Sequence, residues 1–294
     1  MSRFALILHG GAGARRSRDY AAEIVHMREV VEAVRPRLAD GAAALDVAVE
    51  AVERLEASGL YVAGRGASPN TAGVYELDAA LMDGASGRAG AVAALVGFRS
   101  PIRAARAVMD RTPHVLLAGA GAARFAADAG LEPVGDPEAW FTRAGQGEDN
   151  HPPGMGGALQ HGTVGCCVLD RDGRLAAATS TGGVFGKLPG RVGDTPLVAA
   201  GTWADGRVAV SCTGQGEYFI RTAAAARLGF EVEAGRPLAE AARGVIDRIG
   251  ALGGDGGLIA LDRDGALAEP FNSQGMKRAW LSADGEVSVK VFEG

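Results

Sequence analysis

Gly162-Thr163 stands where a glycine- and proline-containing stretch, His151-Pro-Pro-Gly-Met-Gly-Gly157, gives way to the apolar run Val164-Gly-Cys-Cys-Val-Leu169. The apolar run reads as a buried strand. A threonine hydroxyl at its head, behind a leader with no periodicity, is placed to attack the carbonyl that precedes it. Gly162 removes side-chain bulk from that bond and tolerates strained dihedrals. Attack would shift the acyl group from nitrogen to oxygen, and water would cleave the resulting ester. Thr163 would then be a new N-terminus with its own base, because a free α-amine titrates near about 7.7–8.0. Such a nucleophile needs no His–Asp partner, and the five histidines offer no convincing triad.

Three further clusters lie downstream. Thr179-Ser-Thr181 can be an ordinary hydroxyl ladder on a strand, or can line a site with two hydroxyls on one face. Arg191-Val-Gly-Asp194 can be a local surface ion pair of little energetic weight. It can equally grip a free amino acid, a guanidinium forking onto an α-carboxylate while a carboxylate receives the α-ammonium. Thr213-Gly-Gln-Gly216 precedes a helix expected from Glu217, and helix N-termini present unpaired N–H groups to negative charge.

The elements that must hold these groups follow from the pattern. Phe4–His9 reads as a strand and leads into the glycine loop Gly10-Gly-Ala-Gly13, which has neither the length nor the Lys-Ser/Thr ending of a phosphate loop. Ala44, Val47, Ala48, Ala51, Val52 and Leu55 mark a helix that Gly59 ends, with a partner helix around Tyr20–Val34. Val74–Met82 and Ala91–Phe98 read as antiparallel strands, and Pro101 opens a helix to about Arg111. A strand at His114–Ala118 feeds a helix at Ala122–Ala129. Residues 145–162 form the one interior linker. Beyond it, hairpins turn at Asp170–Gly173, at 261–265 and at Ala283–Gly285, with helices at Glu217–Leu228 and Leu238–Ile249 between them. Strands and helices do not alternate strictly, so helix-covered antiparallel sheets fit better than a parallel sheet.

The 294 residues suit one domain with a substantial core, with 45 glycines for tight turns and only 5% aromatic residues. A net charge of −5 with dispersed signs speaks against nucleic acid and anionic membranes as partners. No apolar run reaches the length of a signal or membrane segment, and Cys166, Cys167 and Cys212 lack metal-ligand spacing; both point to a cytoplasmic protein.

In order along the chain, His9-Gly-Gly-Ala-Gly13, Glu76-Leu-Asp-Ala-Ala-Leu-Met-Asp-Gly84, Thr163-Val-Gly165, Ala178-Thr-Ser-Thr-Gly-Gly183, Arg191-Val-Gly-Asp194 and Ser211-Cys-Thr-Gly-Gln-Gly-Glu217 resemble the plant-type asparaginase/isoaspartyl peptidase family, almost end to end. The resemblance implies an α+β fold of N-terminal-nucleophile hydrolase type, a four-layer αββα sandwich with two packed, mainly antiparallel sheets. It implies one domain cut at Gly162–Thr163 into an α-chain of residues 1–162 and a β-chain of residues 163–294. Thr163 would be the nucleophile and Thr181 the second active-site threonine, with Thr179 beside it. Arg191 and Asp194, with Val192 and Gly193 between them, would bind the substrate's carboxylate and ammonium. Thr213 and Gly214 would form the oxyanion hole, with Gln215 and Gly216 completing the binding loop. His9, Gly10 and Gly11 would belong to a glycine loop that positions the scissile bond. The implied substrates are L-asparagine and β-aspartyl dipeptides; the implied partner is a second αβ unit in a homodimer. No cofactor is implied, although relatives carry a structural sodium ion.

Two departures stand out. Val62 occupies a position where the family commonly carries asparagine, and Gln160-His161 replaces a more usual lysine near the cut. A glycosylasparaginase, a taspase-like protease and an uncleaved small-molecule binder are the alternative readings. The first usually follows a secretory route, and the second would need elements for an extended peptide.

Overall fold

A strand with no solvent face needs an unbroken apolar run, and Ala5-Leu-Ile-Leu-His9 provides one as β1 (Ala5–His9), buried at all five positions. The computed structural model describes residues 3–144 and 162–293. The expected linker therefore lies outside the described residues except for Gly162, as do Gln160 and His161. After β1 come α1 (Ala21–Ala39), α2 (Ala44–Ser58), β2 (Leu77–Asp83), β3 (Ala89–Leu95), α3 (Pro101–Arg111), β4 (Leu116–Ala118), α4 (Gly119–Asp128) and the short α5 (Pro137–Trp140). Residues after the cut candidate form β5 (Val164–Leu169), β6 (Leu175–Thr181), β7 (Thr202–Ala204), β8 (Val208–Gly214), α6 (Gly216–Thr222), α7 (Ala224–Glu233), α8 (Leu238–Ala251), β9 (Gly256–Asp262), β10 (Leu267–Ala268), β11 (Arg278–Leu281) and β12 (Val287–Lys290).

The fold is α+β with two sheets. Eight strands run in the order β12-β11-β1-β5-β6-β2-β3-β4, and four in the order β10-β9-β8-β7. Among the described residues the strands pair antiparallel except β3 with β4, which are parallel because α3 carries the chain across between them. Three apolar clusters follow from strand parity. Leu6, Leu8, Val168 and Ala178 pack under α1, α2 and α3 through Val34, Val47, Leu55 and Ile102. Val210 and Leu258 pack under α7 and α8 through Leu228, Val245 and Ile249. Ile7, Cys167 and Ala177 of the large sheet meet Ala209, Ile259 and Leu261 of the small one. The three cysteines are buried and unbridged.

The strands expected over Val74–Met82 and His114–Ala118 begin only at Leu77 and Leu116. The single helix expected over Glu217–Leu228 is broken at Ala223, whose φ is +49°. The amides of Ala225 and Ala226 donate to the carbonyls of Ala200 and Ala199 at 3.1 and 2.9 Å, so a loop replaces the preceding helical turn as their acceptor. A left-handed alanine costs about 1–2 kcal/mol, which those contacts offset. The alternating run Val208–Thr213, not assigned from sequence, is the central strand β8, seven residues all buried.

The same parity collects the polar residues. His9 of β1, Thr163 next to β5, Thr179 and Thr181 of β6, and Ser211 and Thr213 of β8 all project from the faces that meet between the sheets, at one end of the strands.

Candidate active site

Thr163 is 5% exposed, and its hydroxyl donates to Thr181 Oγ1 at 3.3 Å. Thr181 Oγ1 donates in turn to the carbonyl oxygen of Gly162 at 2.6 Å and accepts the amide of Gly183 at 2.9 Å. The two hydroxyls expected to share chemistry therefore share one hydrogen-bond chain, and that chain ends on the carbonyl of Gly162, the residue before Thr163. Gly11, at φ +99°, lies against this bond: a Cβ there would stand 3.3 Å from Gly162 Cα and 3.4 Å from Thr163 N. The glycine loop is held from outside, Gly10 N donating to Lys277 O at 2.8 Å and Lys277 N to Gly11 O at 3.1 Å. Gly10 packs on the ring of Tyr61, where a Cβ would come within 2.6 Å.

Val62 forms the wall on the other side. A Cβ at position 162 would sit 2.7 Å from both Val62 Cβ and Cγ2, so close packing requires Gly162 here. Val62 also uses its carbonyl to accept Gly182 N at 2.9 Å.

His9 and Thr179 take different places from the nucleophile. His9 Nε2 is 2.9 Å from Ser211 Oγ, Ser211 Oγ is 2.8 Å from Thr179 Oγ1, and Thr202 Oγ1 donates to Thr179 Oγ1 at 2.7 Å. All four are fully buried. This chain joins the sheets one row beneath Thr163 and Thr181, so Thr179 supports the site from below instead of lining it beside Thr181. Burial pushes the His9 imidazole down to about 3, so it is neutral at physiological pH. Ser211 and Thr202 were not singled out from sequence; Ser211 could have been, since it shares the parity of Thr213 on β8.

Thr213 is fully buried and accepts the Ala12 amide at 3.3 Å, which leaves its own hydrogen available to donate. Gly214 ends β8 with Asp255 O so near that a Cβ would be 2.6 Å away. Gln215 precedes α6, donates its amide to Asp255 O at 3.1 Å and receives Asp255 N on Oε1 at 3.3 Å. Asp194 is 4% exposed and packs on Gly216, where a Cβ would lie 2.8 Å from Asp194 N and Oδ1.

Arg191 finds its partner at the head of α6. Its Nε and Nη2 fork onto the carboxylate of Glu217, both at 2.9 Å, and its guanidinium covers Gly193, where a Cβ would be 2.9 Å from Nη1. Val192 and Gly193 are thus the short spacer that puts Arg191 and Asp194 on one loop facing the N-terminus of α6. Among the described residues no group of three or more His, Cys, Asp or Glu side chains is arranged to hold a metal ion, and none of the helices found there is long and apolar enough to cross a membrane.

A hydroxyl chain on the Gly162 carbonyl, an arginine forked onto a carboxylate near a buried aspartate, and a threonine-glycine strand end are the parts that an amide-bond hydrolase with a threonine nucleophile requires. The family described as asparaginase matches residues 2–291. The chain is 46% identical to an isoaspartyl peptidase of Salmonella typhimurium over 99% of both proteins. It is 45% identical to an isoaspartyl peptidase of Escherichia coli over 99% of this chain and 97% of that one. It is 40% identical to a plant-type L-asparaginase of Pyrobaculum calidifontis over 97% of this chain and 99% of the relative. The chain belongs to the asparaginase family.

Proposed function

We propose that the protein is an autoprocessing threonine amidohydrolase acting on L-asparagine and on β-aspartyl dipeptides. The observation that carries this reading is the single hydroxyl, Thr181, standing between the Thr163 hydroxyl and the Gly162 carbonyl. In the uncut chain the Thr163 nitrogen is an amide and cannot act as base. Thr181 can take the Thr163 proton while giving its own to the Gly162 oxygen, which sharpens nucleophile and electrophile together. The C–O bond forms, the C–N bond breaks with a proton passing to nitrogen, and water hydrolyses the ester. The products are residues 1–162 ending in the Gly162 carboxylate and residues 163–294 beginning with Thr163.

Thr163 then carries both hydroxyl and free amine. The amine accepts the hydroxyl proton as Oγ attacks the substrate's side-chain carbonyl, and passes it to the departing ammonia or amino acid. Thr213 and the Gly214 amide serve the oxyanion, a role in which one donor is worth about 10²–10³ in rate. Water releases aspartate from the β-aspartyl ester. Arg191 takes the α-carboxylate and Asp194 the α-ammonium, so an asparagine inside a peptide is a poor substrate. The relatives' names span both substrate types, and the clamp recognises what the two share.

This chemistry calls for no redox cofactor or catalytic metal. The helix-covered pair of sheets fits the four-layer αββα sandwich of N-terminal-nucleophile hydrolases, and two αβ units are expected to pair; sedimentation of the processed protein tests the pairing. Denaturing electrophoresis combined with ammonia release tests the chemistry. Wild type should yield two bands and turn over asparagine, and Thr163→Ala should do neither. Ammonia release by the substituted protein would refute the nucleophile assignment.

A further inference from the structure

Beside the threonine pair lies a buried charged cluster that the reaction above leaves unassigned. Asp78 of β2 is the direct cross-strand neighbour of Thr181 and is fully buried. Partners directly opposite on antiparallel strands share a face, so Asp78 projects between the sheets as Thr181 does. It sits opposite a bulge in β3, where the register shifts between Leu77 and Ala79. The displaced Ala94, at φ +48°, donates its amide to Asp78 Oδ1 at 2.7 Å. Asp78 Oδ2 is buried without a hydrogen-bond partner among the described residues.

The nearby positive charge is Lys187, itself only 3% exposed and not in hydrogen-bond contact with Asp78. Its ammonium donates to the backbone carbonyl of Glu76 at 2.7 Å and lies in the field of Asp78. Its stem passes over Gly183, at φ +81°: a Cβ there would meet Lys187 Cδ at 2.8 Å and Nζ at 2.9 Å. Gly183 is the residue whose amide holds Thr181 Oγ1. The Glu76 carboxylate meanwhile accepts Gly190 N at 2.9 and 3.1 Å and Asn70 Nδ2 at 2.9 Å, tying down the residue before Arg191.

We propose that Lys187 is a positioning residue for Thr181, acting through Gly183 with Asp78 as its counter-charge, while Glu76 positions the Arg191 loop. The inference rests on the autoprocessing reading of Thr163. A buried ammonium is kept in such surroundings only when paired, since removing one partner of a buried pair leaves an uncompensated charge. The hydrogen bond to Glu76 O and the field of Asp78 hold the ammonium, its stem packs over Gly183 and so fixes the Gly183 amide, and that amide sets the direction in which the Thr181 hydroxyl can donate. One acceptor lone pair is filled by Gly183 N, one faces the Thr163 hydroxyl, and the hydrogen is left for the Gly162 carbonyl. The cluster therefore acts first on self-cleavage and then on kcat, whereas Glu76 acts on substrate affinity.

The test compares Lys187→Met, Asp78→Asn and Glu76→Gln with wild type. Lys187→Met keeps an aliphatic stem over Gly183 and loses the ammonium. Asp78→Asn keeps an acceptor for Ala94 and loses the charge. Self-cleavage is timed on denaturing gels; kcat and KM are measured on L-asparagine with fully processed protein. Misplacing a reacting group by about 1 Å lowers rates by up to about 10²-fold, so both variants should cleave about 10- to 100-fold more slowly. Asp78→Asn should lower kcat with KM within about twofold of wild type, and Glu76→Gln should do the reverse, raising KM more than it slows cleavage. If circular dichroism shows Lys187→Met unfolded, Asp78→Asn decides alone. Wild-type cleavage and kcat in Asp78→Asn, with Thr163→Ala remaining uncut, would overturn the proposal and leave the nucleophile in place. Cleavage of Thr163→Ala would instead overturn the reading on which it rests.

Discussion

Thr181 Oγ1 donates to the Gly162 carbonyl at 2.6 Å while it accepts from the Thr163 hydroxyl at 3.3 Å, so one side chain touches both partners of the bond-forming step proposed above. Replacing Thr181 by valine keeps the volume and strand preference and removes the hydroxyl. Self-cleavage should slow by about 10²–10³, as for loss of one donor to a developing oxyanion. The rate of appearance of the two chains on denaturing gels measures it, and an unchanged rate would remove Thr181 from the mechanism.

Gly162 and Val62 form a steric couple. Gly162→Ala places a methyl 2.7 Å from Val62 Cβ and Cγ2, and the strain must push the scissile carbonyl off Thr181. Cleavage of Gly162→Ala should be slowed strongly, and Val62→Gly in the same chain should restore part of it. Residues in contact show coupling of about 0.5–3 kcal/mol, so cleavage rates of the two single and the double variants form the test. Additive effects would mean that Val62 is not the obstacle.

Arg191 forks onto the carboxylate of Glu217. A lysine cannot hold two parallel hydrogen bonds in that plane, so Arg191→Lys should raise KM for asparagine about tenfold or more and leave kcat nearly unchanged. Glu217 is about half exposed, and its replacement by glutamine should have a smaller effect in the same direction. Steady-state kinetics on processed protein separates the two constants.

His9 is held neutral by burial, its imidazole pushed down from 6.5 to about 3. The unfolded chain binds a proton on this ring below about 6.5 and the folded chain does not, so its stabilising effect is complete above 6.5 and is lost as pH falls towards 3. The slope is at most about 1.4 kcal/mol per pH unit. Glu56, pushed up to about 7 by burial, works in the opposite sense, because the folded state retains its proton as pH falls from 7 towards 4.5. Urea midpoints of wild type and His9→Gln between about pH 7 and about pH 5 isolate the histidine. The gap between them should narrow on acidification, and parallel curves would contradict the assignment.

Much of the fold was legible because the chain signals it locally. The Ala44–Leu55 stripe with Gly59 behind it became α2, closed by Gly59 at φ +74°. Pro101 opened α3, whose end at Arg111 matched the expected length. The turn Asp170–Gly173 joins β5 to β6 as expected. The misses have physical causes. Continuous helical spacing through Ala223 gave no sign that Ala199 and Ala200 would claim the next amides. The three-residue β7 follows Gly201 and the seven-residue β8 ends on Gly214, residues whose usual reading is loop.

By itself the sequence determined which residues could do the chemistry: a glycine-preceded threonine at a strand head, a second threonine, an arginine and aspartate three apart, and a threonine-glycine end before a helix. Period-two alternation also determined that Thr179 and Thr181 share a face, because parity is a local property of a strand. Only the tertiary structure decided who touches whom. It placed Thr181 on the Gly162 carbonyl, moved Thr179 into a buried chain with His9, gave Arg191 to Glu217, and set Val62 against Gly162. Those relations join residues far apart in the chain through the register of β1, β5, β6 and β8. Register is fixed by the packing of whole faces between two sheets, which no local run of residues encodes.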